Sequence, residues 1–195
     1  MIKLITHTPN PEELLKQAYS QCYQKPAKIE TIVKHLKHSS VLEHISYTFD
    51  VKLSRVAWEQ LVRHRIASYT AQSHRYTPVK EEDTYYYIPI AVDSLSDELV
   101  QEWIDDCKDS YAKYAKWIER GIKKEDARYL INKGVSINAT FTMNLRSIIN
   151  FLTLRTDAHA QGEIQEMANT MKHIIYQTLP NLTDAIENLI KDNQH

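Results

Sequence analysis

Ile45-Ser46-Tyr47-Thr48-Phe49-Asp50-Val51-Lys52-Leu53 sets an apolar residue at every odd position, and Val135-Ser136-Ile137-Asn138-Ala139-Thr140-Phe141-Thr142-Met143 does the same. Side chains alternate across a strand, so each stretch predicts a strand with one buried and one polar face. A sheet with one wet face favours antiparallel pairing. Residues 85–90 are a further strand candidate, limited by Pro89, which has no N–H for a ladder. Working outward, Asn10-Pro11-Glu12-Glu13 reads as a cap, a proline at the first position and acids in the first turn of a helix ending near residue 23. Periodicity predicts further helices over 27–37, 56–67, 96–120 and 124–130. Asn144 is expected to cap a helix to residue 154, and Asp157 the next, to residue 176. The predicted class is α+β: a modest antiparallel β-sheet flanked by helices, in a single domain over residues 1–195. Asn138, Thr140 and Thr142 would face either solvent or a subunit contact.

Composition narrows the function. With 24 basic and 25 acidic residues, the net charge of -1 gives no global attraction to nucleic acid or anionic membrane. Cys22 and Cys107 are too few and too isolated for a disulfide framework or a cysteine-based zinc site. No leader pattern and no run of eighteen apolar residues occurs, so a reduced, cytoplasmic, soluble protein is expected. Three glycines leave neither a Walker loop nor a G-x-G-x-x-G turn, so side chains and helix ends must hold any nucleotide or flavin.

Chemistry concentrates in three stretches. Arg63-His64-Arg65 is followed, after seven residues, by Ser73-His74-Arg75-Tyr76. Guanidinium groups bind phosphate bidentately and keep their charge, so this density suits an oxyanion. Gln60, Arg63 and His64 would share a helix face, and Ser73 and Arg75, two apart in an extended segment, would point the same way. The second stretch, Asn144 to Arg155, places Arg146 and Asn150 one turn apart over a buried face of Ile148, Ile149, Phe151 and Leu152, and leads to His159. In the third, His35 and His38 have the helical spacing of a metal pair that Glu43 or His44 could complete, but no cysteine and no supporting second set of partners lies nearby, so a metal is not expected.

The run RHRIASYTAQSHRY resembles the defining signature of the flavin-dependent thymidylate synthases, Arg-His-Arg, seven residues, then Ser. Residues 144–164 resemble that family's second signature, and the likeness extends from about Ala18 to Ile164. It implies conversion of dUMP to dTMP, with 5,10-methylenetetrahydrofolate as one-carbon donor and FAD reduced by NADPH. It also implies a homotetramer whose active sites are shared between subunits. By this resemblance His38, Ser40, Glu43, Arg63, His64, Arg65, Ile66, Asn144, Arg146, Asn150 and His159 bind FAD. Gln60, Arg63, Gln72, Ser73, Arg75, Arg128 and Arg155 bind dUMP, and no metal is implied. Arg155 is assigned the catalytic part: a cation near the uracil N3/O2 edge favours the anionic form by about 1–3 pKa units.

The chain departs from the family pattern at three places. Ala71 stands where relatives carry an acid or amide, a role that falls to Gln72. Ser20 replaces a frequent arginine, with Cys22 at a small-residue position near the flavin, and the usual proline after Arg128 is absent. Two rival functions follow from the residues. A nucleic-acid module would use Arg63, Arg65, His74 and Arg75, with Tyr69 and Tyr76 for stacking. A catalytically silent flavin- or nucleotide-binding homologue would keep the fold without turnover.

Overall fold

The computed structural model describes residues 1–36 and 39–194. In chain order they form β1 (Ile2–His7), α1 (Pro11–Tyr23), α2 (Ile29–Lys34), a 3-10 turn (Ser39–His44), β2 (Ser46–Ser54), α3 (Arg55–Leu61), β3 (Ala67–Ala71) and a 3-10 turn (Glu81–Asp83). There follow α4 (Ile90–Asp93), α5 (Asp97–Glu119), α6 (Lys124–Ala127), a 3-10 turn (Arg128–Leu130), β4 (Ser136–Asn144), α7 (Leu145–Arg155), α8 (Gly162–Thr178), a 3-10 turn (Pro180–Leu182) and α9 (Thr183–Asp192). The sheet order is β1-β2-β4-β3. Thr48 pairs with Thr142 through hydroxyls 2.9 Å apart, and Asp50 accepts from Thr140, so β2 and β4 run antiparallel. The alternation holds in both strands: Tyr47, Phe49, Val51 and Leu53 are buried, as are Ile137, Ala139, Phe141 and Met143.

Backbone contacts divide the chain into two compact units, each assembled from separated stretches. The first comprises Met1, Val51–Arg63 and Thr70–Ala139. Its core joins Val79, Tyr114, Ala127 and Val135, with Tyr111, Ile118 and Ile131 packed against them. Asp83 is tied there by Lys52 at 3.1 Å and by the Ser136 hydroxyl at 2.9 Å. Burial alone would raise its pKa, but the bonds from Ser136 and Lys52 outweigh it and hold the carboxyl below the ordinary value.

The second unit comprises Ile2–Asp50, His64–Tyr69 and Thr140–His195. Phe49 stacks on Phe141 with ring centres 5.3 Å apart, and Tyr69 lies 6.3 Å from Phe141. Ile148, Phe151 and Leu152 of α7, Ile164, Met171 and Ile175 of α8, and Ile186 and Ile190 of α9 are buried. Tyr47 caps this core with a polar tip: its hydroxyl meets Thr178 Oγ1 at 2.8 Å, and burial pushes its pKa up to about 12.

Several expectations are corrected. The helix expected over 56–67 ends at Leu61, where a turn intervenes and Ala67–Ala71 becomes a strand. Residues 85–90 form no strand; Pro89 opens the short α4 instead. The 3-10 geometry of Arg128–Leu130 cuts short the helix from Lys124. Asn144 does cap α7, accepting from Ser147 N at 2.9 Å. Asp157 does not cap α8: it accepts from His159 N at 2.8 Å, and Gln161 caps the helix by accepting from Ile164 N. Both β1 and α9 lay outside the sequence expectations.

Candidate functional site

In the first unit, residues 73–77 close into a turn rather than an extended segment, because Ser73 O accepts from Tyr76 N and Thr77 N. The two-residue alternation expected of Ser73 and Arg75 is therefore absent; Ser73 Oγ instead accepts from the Arg75 backbone N at 3.3 Å. Arg75 Nε lies 2.5 Å from Glu125 Oε2, and its guanidinium lies over the Tyr76 ring. Arg128 Nε donates to the Glu125 carbonyl at 3.1 Å. One residue thus gathers two of the expected phosphate ligands. Glu125 was missed from sequence, although it stands three residues before Arg128 in a helical stretch.

A cavity of about 390 Å³ opens beside them, lined by Arg55, Glu59, His74, Arg128, Asn132 and Lys133, among others. His74 is 2 % exposed. Burial depresses its pKa, and the cations of Arg55 and Arg128 outweigh the opposing Asp83. Among the described residues, His74 Nε2 and Asn132 Oδ1 are the buried side-chain atoms without a hydrogen-bond partner, and both belong to this lining. Gln72 is committed elsewhere: its Oε1 accepts from Asn138 Nδ2 at 3.0 Å and its Nε2 donates to Thr77. Gln60 and Arg63 do not share a helical face, because α3 stops at Leu61. The Arg63 side chain is exposed.

In the second unit, α7 brings Arg155 to His64. Arg155 Nε donates to His64 Nε2 at 3.3 Å, which needs the ring uncharged. Burial first, then the Arg155 cation, lowers the His64 pKa to about 4. The ring stands edge-on to Phe151 at 4.8 Å, and Tyr69 Oη donates to the His64 carbonyl at 2.8 Å. Desolvation lowers the Arg155 pKa as well. Arg65 and Ile66 follow on the surface, Ile66 being 74 % exposed.

The same unit holds a second cavity, about 550 Å³, within the range of small-molecule sites. Arg146, Ile149, Asn150, Thr153 and Leu154 of α7 form one side, joined by Leu36 and Leu42. Leu189, Asp192 and Asn193 at the end of α9 form another. Arg146 pairs with Glu43, so the structure brings together two residues expected around one ligand. Ser40 is exposed on the 3-10 turn before them. Asn144 uses its side-chain oxygen as the α7 cap, and His159 is almost wholly exposed, its ring 2.8 Å from Asp157. His38 lies outside the described residues.

Comparison with known proteins supplies the context. The family described as "Thymidylate synthase complementing protein" matches residues 3–181. The flavin-dependent thymidylate synthase of Clostridium tetani is 35 % identical over 212 residues, spanning 93 % of this chain and 84 % of the relative. That of Pyrococcus horikoshii is 41 % identical over 184 residues, spanning 86 % and 75 %. Among solved structures, a Helicobacter pylori thymidylate synthase X with FAD and dUMP superposes with a TM-score of 0.75 at 25 % identity, covering 95 % of this chain and 98 % of that one.

Proposed function

The chain belongs to the flavin-dependent thymidylate synthases, and from that premise we propose that it methylates dUMP to dTMP with 5,10-methylenetetrahydrofolate as carbon donor and NADPH as reductant. Arg75, Arg128 and Ser73 take the phosphate in this reading, with Gln60, Arg63 and Gln72 at the remaining edges of the nucleotide. The supporting observation is the meeting of Arg75 and Arg128 at Glu125, which puts two permanent cations on one ligand-sized surface. Glu125 must yield or share Arg75 when a phosphate arrives.

The 550 Å³ cavity is our choice for FAD, and its donor set fits the group. Arg146 suits a pyrophosphate, Asn150 offers both donor and acceptor to a ring edge, and Leu36, Leu42 and Ile149 offer an apolar wall. His38, Ser40, Glu43, Asn144 and His159, with Arg63, His64, Arg65 and Ile66, complete the proposed contacts. Bound FAD supplies the redox chemistry, leaving the protein to orient ligands and stabilise charge. Cys107 is poorly suited to act as a nucleophile: burial, then Asp106, raises the pKa of its thiol. Arg155 is the proposed catalytic residue, stabilising negative charge on the uracil, and His64 positions it.

We assign a homotetramer with shared sites, both units working as one domain in the cytoplasm. Exposed Ile66, Tyr76 and Tyr129 adjoin the proposed ligand residues and suit burial between subunits. The decisive experiment follows dTMP formation from dUMP, methylenetetrahydrofolate and NADPH. The double variant Arg146→Ala/Asn150→Ala should purify colourless and melt at lower temperature, since a cofactor that binds only the folded state stabilises it. A full complement of FAD in that variant would remove the cavity from the cofactor site.

A further inference from the structure

Resting on the reading of Arg75 and Arg128 as phosphate ligands of dUMP, we propose that the 390 Å³ cavity beside them takes the second phosphoryl group of a pyrimidine nucleoside diphosphate or triphosphate, and that such nucleotides compete with dUMP.

The cavity carries more positive charge than a monophosphate uses. Arg55 on α3, Arg128 and Lys133 line it, and Glu59 is the acidic residue of the same wall. Glu59 is taken by Lys133, whose Nζ lies 3.0 Å from Glu59 Oε2. Arg128 Nε donates to a backbone carbonyl, that of Glu125. The half-buried Arg55 guanidinium has no hydrogen-bond or ion-pair partner among the described residues. The charges of Arg55 and Arg128 both reach the buried ring of His74, which they and burial keep neutral against the pull of Asp83. Two guanidiniums with no carboxylate between them repel each other, and an anion in the cavity relieves that repulsion.

The wall is fixed before any ligand arrives. Arg55 N donates to the Val135 carbonyl at 2.9 Å and Val56 N to the Lys133 carbonyl at 3.3 Å, which holds the first turn of α3 against residues 133–135. Asn132 Nδ2 donates to the Thr84 carbonyl and to Ser110 Oγ, and its unpaired Oδ1 lies against Gly134. His74 Nε2 is buried and also unpaired. Buried polar atoms are nearly always bonded, so an orphan in a cavity wall points to a further partner. With its hydrogen on Nε2, the ring is a donor of the kind a phosphate oxygen takes.

Placement decides which phosphate meets this wall. Arg128 belongs to both places: it shares Glu125 with Arg75 and lines the cavity with Arg55. His74 stands between Ser73 and Arg75 in the chain, and all these residues lie in the first unit. A phosphoryl group held by Arg75 and Arg128 has its next phosphoryl neighbour one bridging oxygen away. On the Arg128 side that neighbour meets Arg55, whose fork suits two of its oxygens. A monophosphate such as dUMP ends short of Arg55.

Isothermal titration of the full chain in metal-free buffer compares dUMP, dUDP and dUTP. The parent protein should bind dUDP about tenfold more tightly than dUMP, the worth of one charge-assisted hydrogen bond. In steady-state assays dUDP should raise the KM for dUMP and leave kcat unchanged. Arg55→Gln should abolish the advantage of dUDP while the Kd for dUMP and the helix content by circular dichroism stay as in the parent; Arg55→Lys should restore part of it. Equal affinities for dUMP and dUDP in the parent, or equal losses for the two in Arg55→Gln, would overturn the proposal. Arg75→Ala is the control. If it weakens both nucleotides while Arg55→Gln weakens neither, the cavity inference alone fails. If it leaves dUMP untouched, the phosphate reading itself is wrong and both fall together.

Discussion

Arg75→Ala measures how much of the dUMP affinity its phosphate carries. Arg75 is engaged before any ligand arrives, with Nε 2.5 Å from Glu125 Oε2 and its side chain 54 % exposed. A phosphate that takes Arg75 gains about 1.5–3 kcal/mol, the worth of a hydrogen bond to a charged group. It gives up part of an exposed ion pair, about 0.2–1 kcal/mol. The difference, about 0.5–2.8 kcal/mol, raises the Kd for dUMP by roughly 2- to 110-fold. Glu125→Gln removes the competitor and should tighten dUMP by up to about fivefold. That gain should shrink as salt is raised, because exposed charges are screened. Isothermal titration of both variants with dUMP and with deoxyuridine separates the phosphate from the rest of the nucleotide. Arg75→Ala should leave deoxyuridine affinity nearly unchanged. Equal losses for the two ligands, or weaker dUMP binding in Glu125→Gln, would refute the reasoning.

Arg155→Lys keeps the charge but loses the planar fork and the bond to His64, so dUMP binding should persist while kcat falls. Stopped-flow reduction of the flavin by NADPH should continue in that variant; its failure would mean that Arg155 positions the cofactor. Asn144→Ala removes the α7 cap and should cost about 1 kcal/mol in urea denaturation. His64 has a pKa near 4 against an ordinary 6.5, so the unfolded chain takes up its proton first as pH falls. The contribution of the neutral ring is complete above pH 6.5 and is lost progressively down to about pH 4. His74 adds to the loss in the same direction. Denaturation midpoints of His64→Gln across that window should therefore slope less than those of the parent, and an equal slope would remove His64 as a cause.

Period-two alternation survived into the structure almost unchanged because it reports burial directly: Phe49 and Phe141 are core residues however the chain reaches them. Local helix signals did less well. The end of α3 was hidden because Val62, Arg63 and His64 continue a helical spacing, while Ala67-Ser68-Tyr69-Thr70-Ala71 is an alternation too short to stand out. The Asp157 cap was plausible chemistry, but its carboxylate is taken by His159 N, two residues away. Arg63, Ser73, Arg75 and Arg128 were legible as residue types in a pattern. The bond from Arg75 to Glu125 was not, because fifty residues separate the partners and only tertiary packing brings them together. The same holds for the end of α9, whose Asp192 and Asn193 carry no motif.

The choice of a histidine as a partner of Arg155 has a consequence for how far the guanidinium charge reaches. A carboxylate in the place of His64 would hold the guanidinium as firmly, but the two opposite charges would form a dipole whose field dies away within a short distance. The neutral imidazole fixes the direction of the side chain and subtracts nothing from it. Arg75 is built the other way, with Glu125 muting it until a stronger anion displaces the carboxylate. One arginine is kept quiet until it is needed, and the other is steered by a ring that brings no opposing charge of its own.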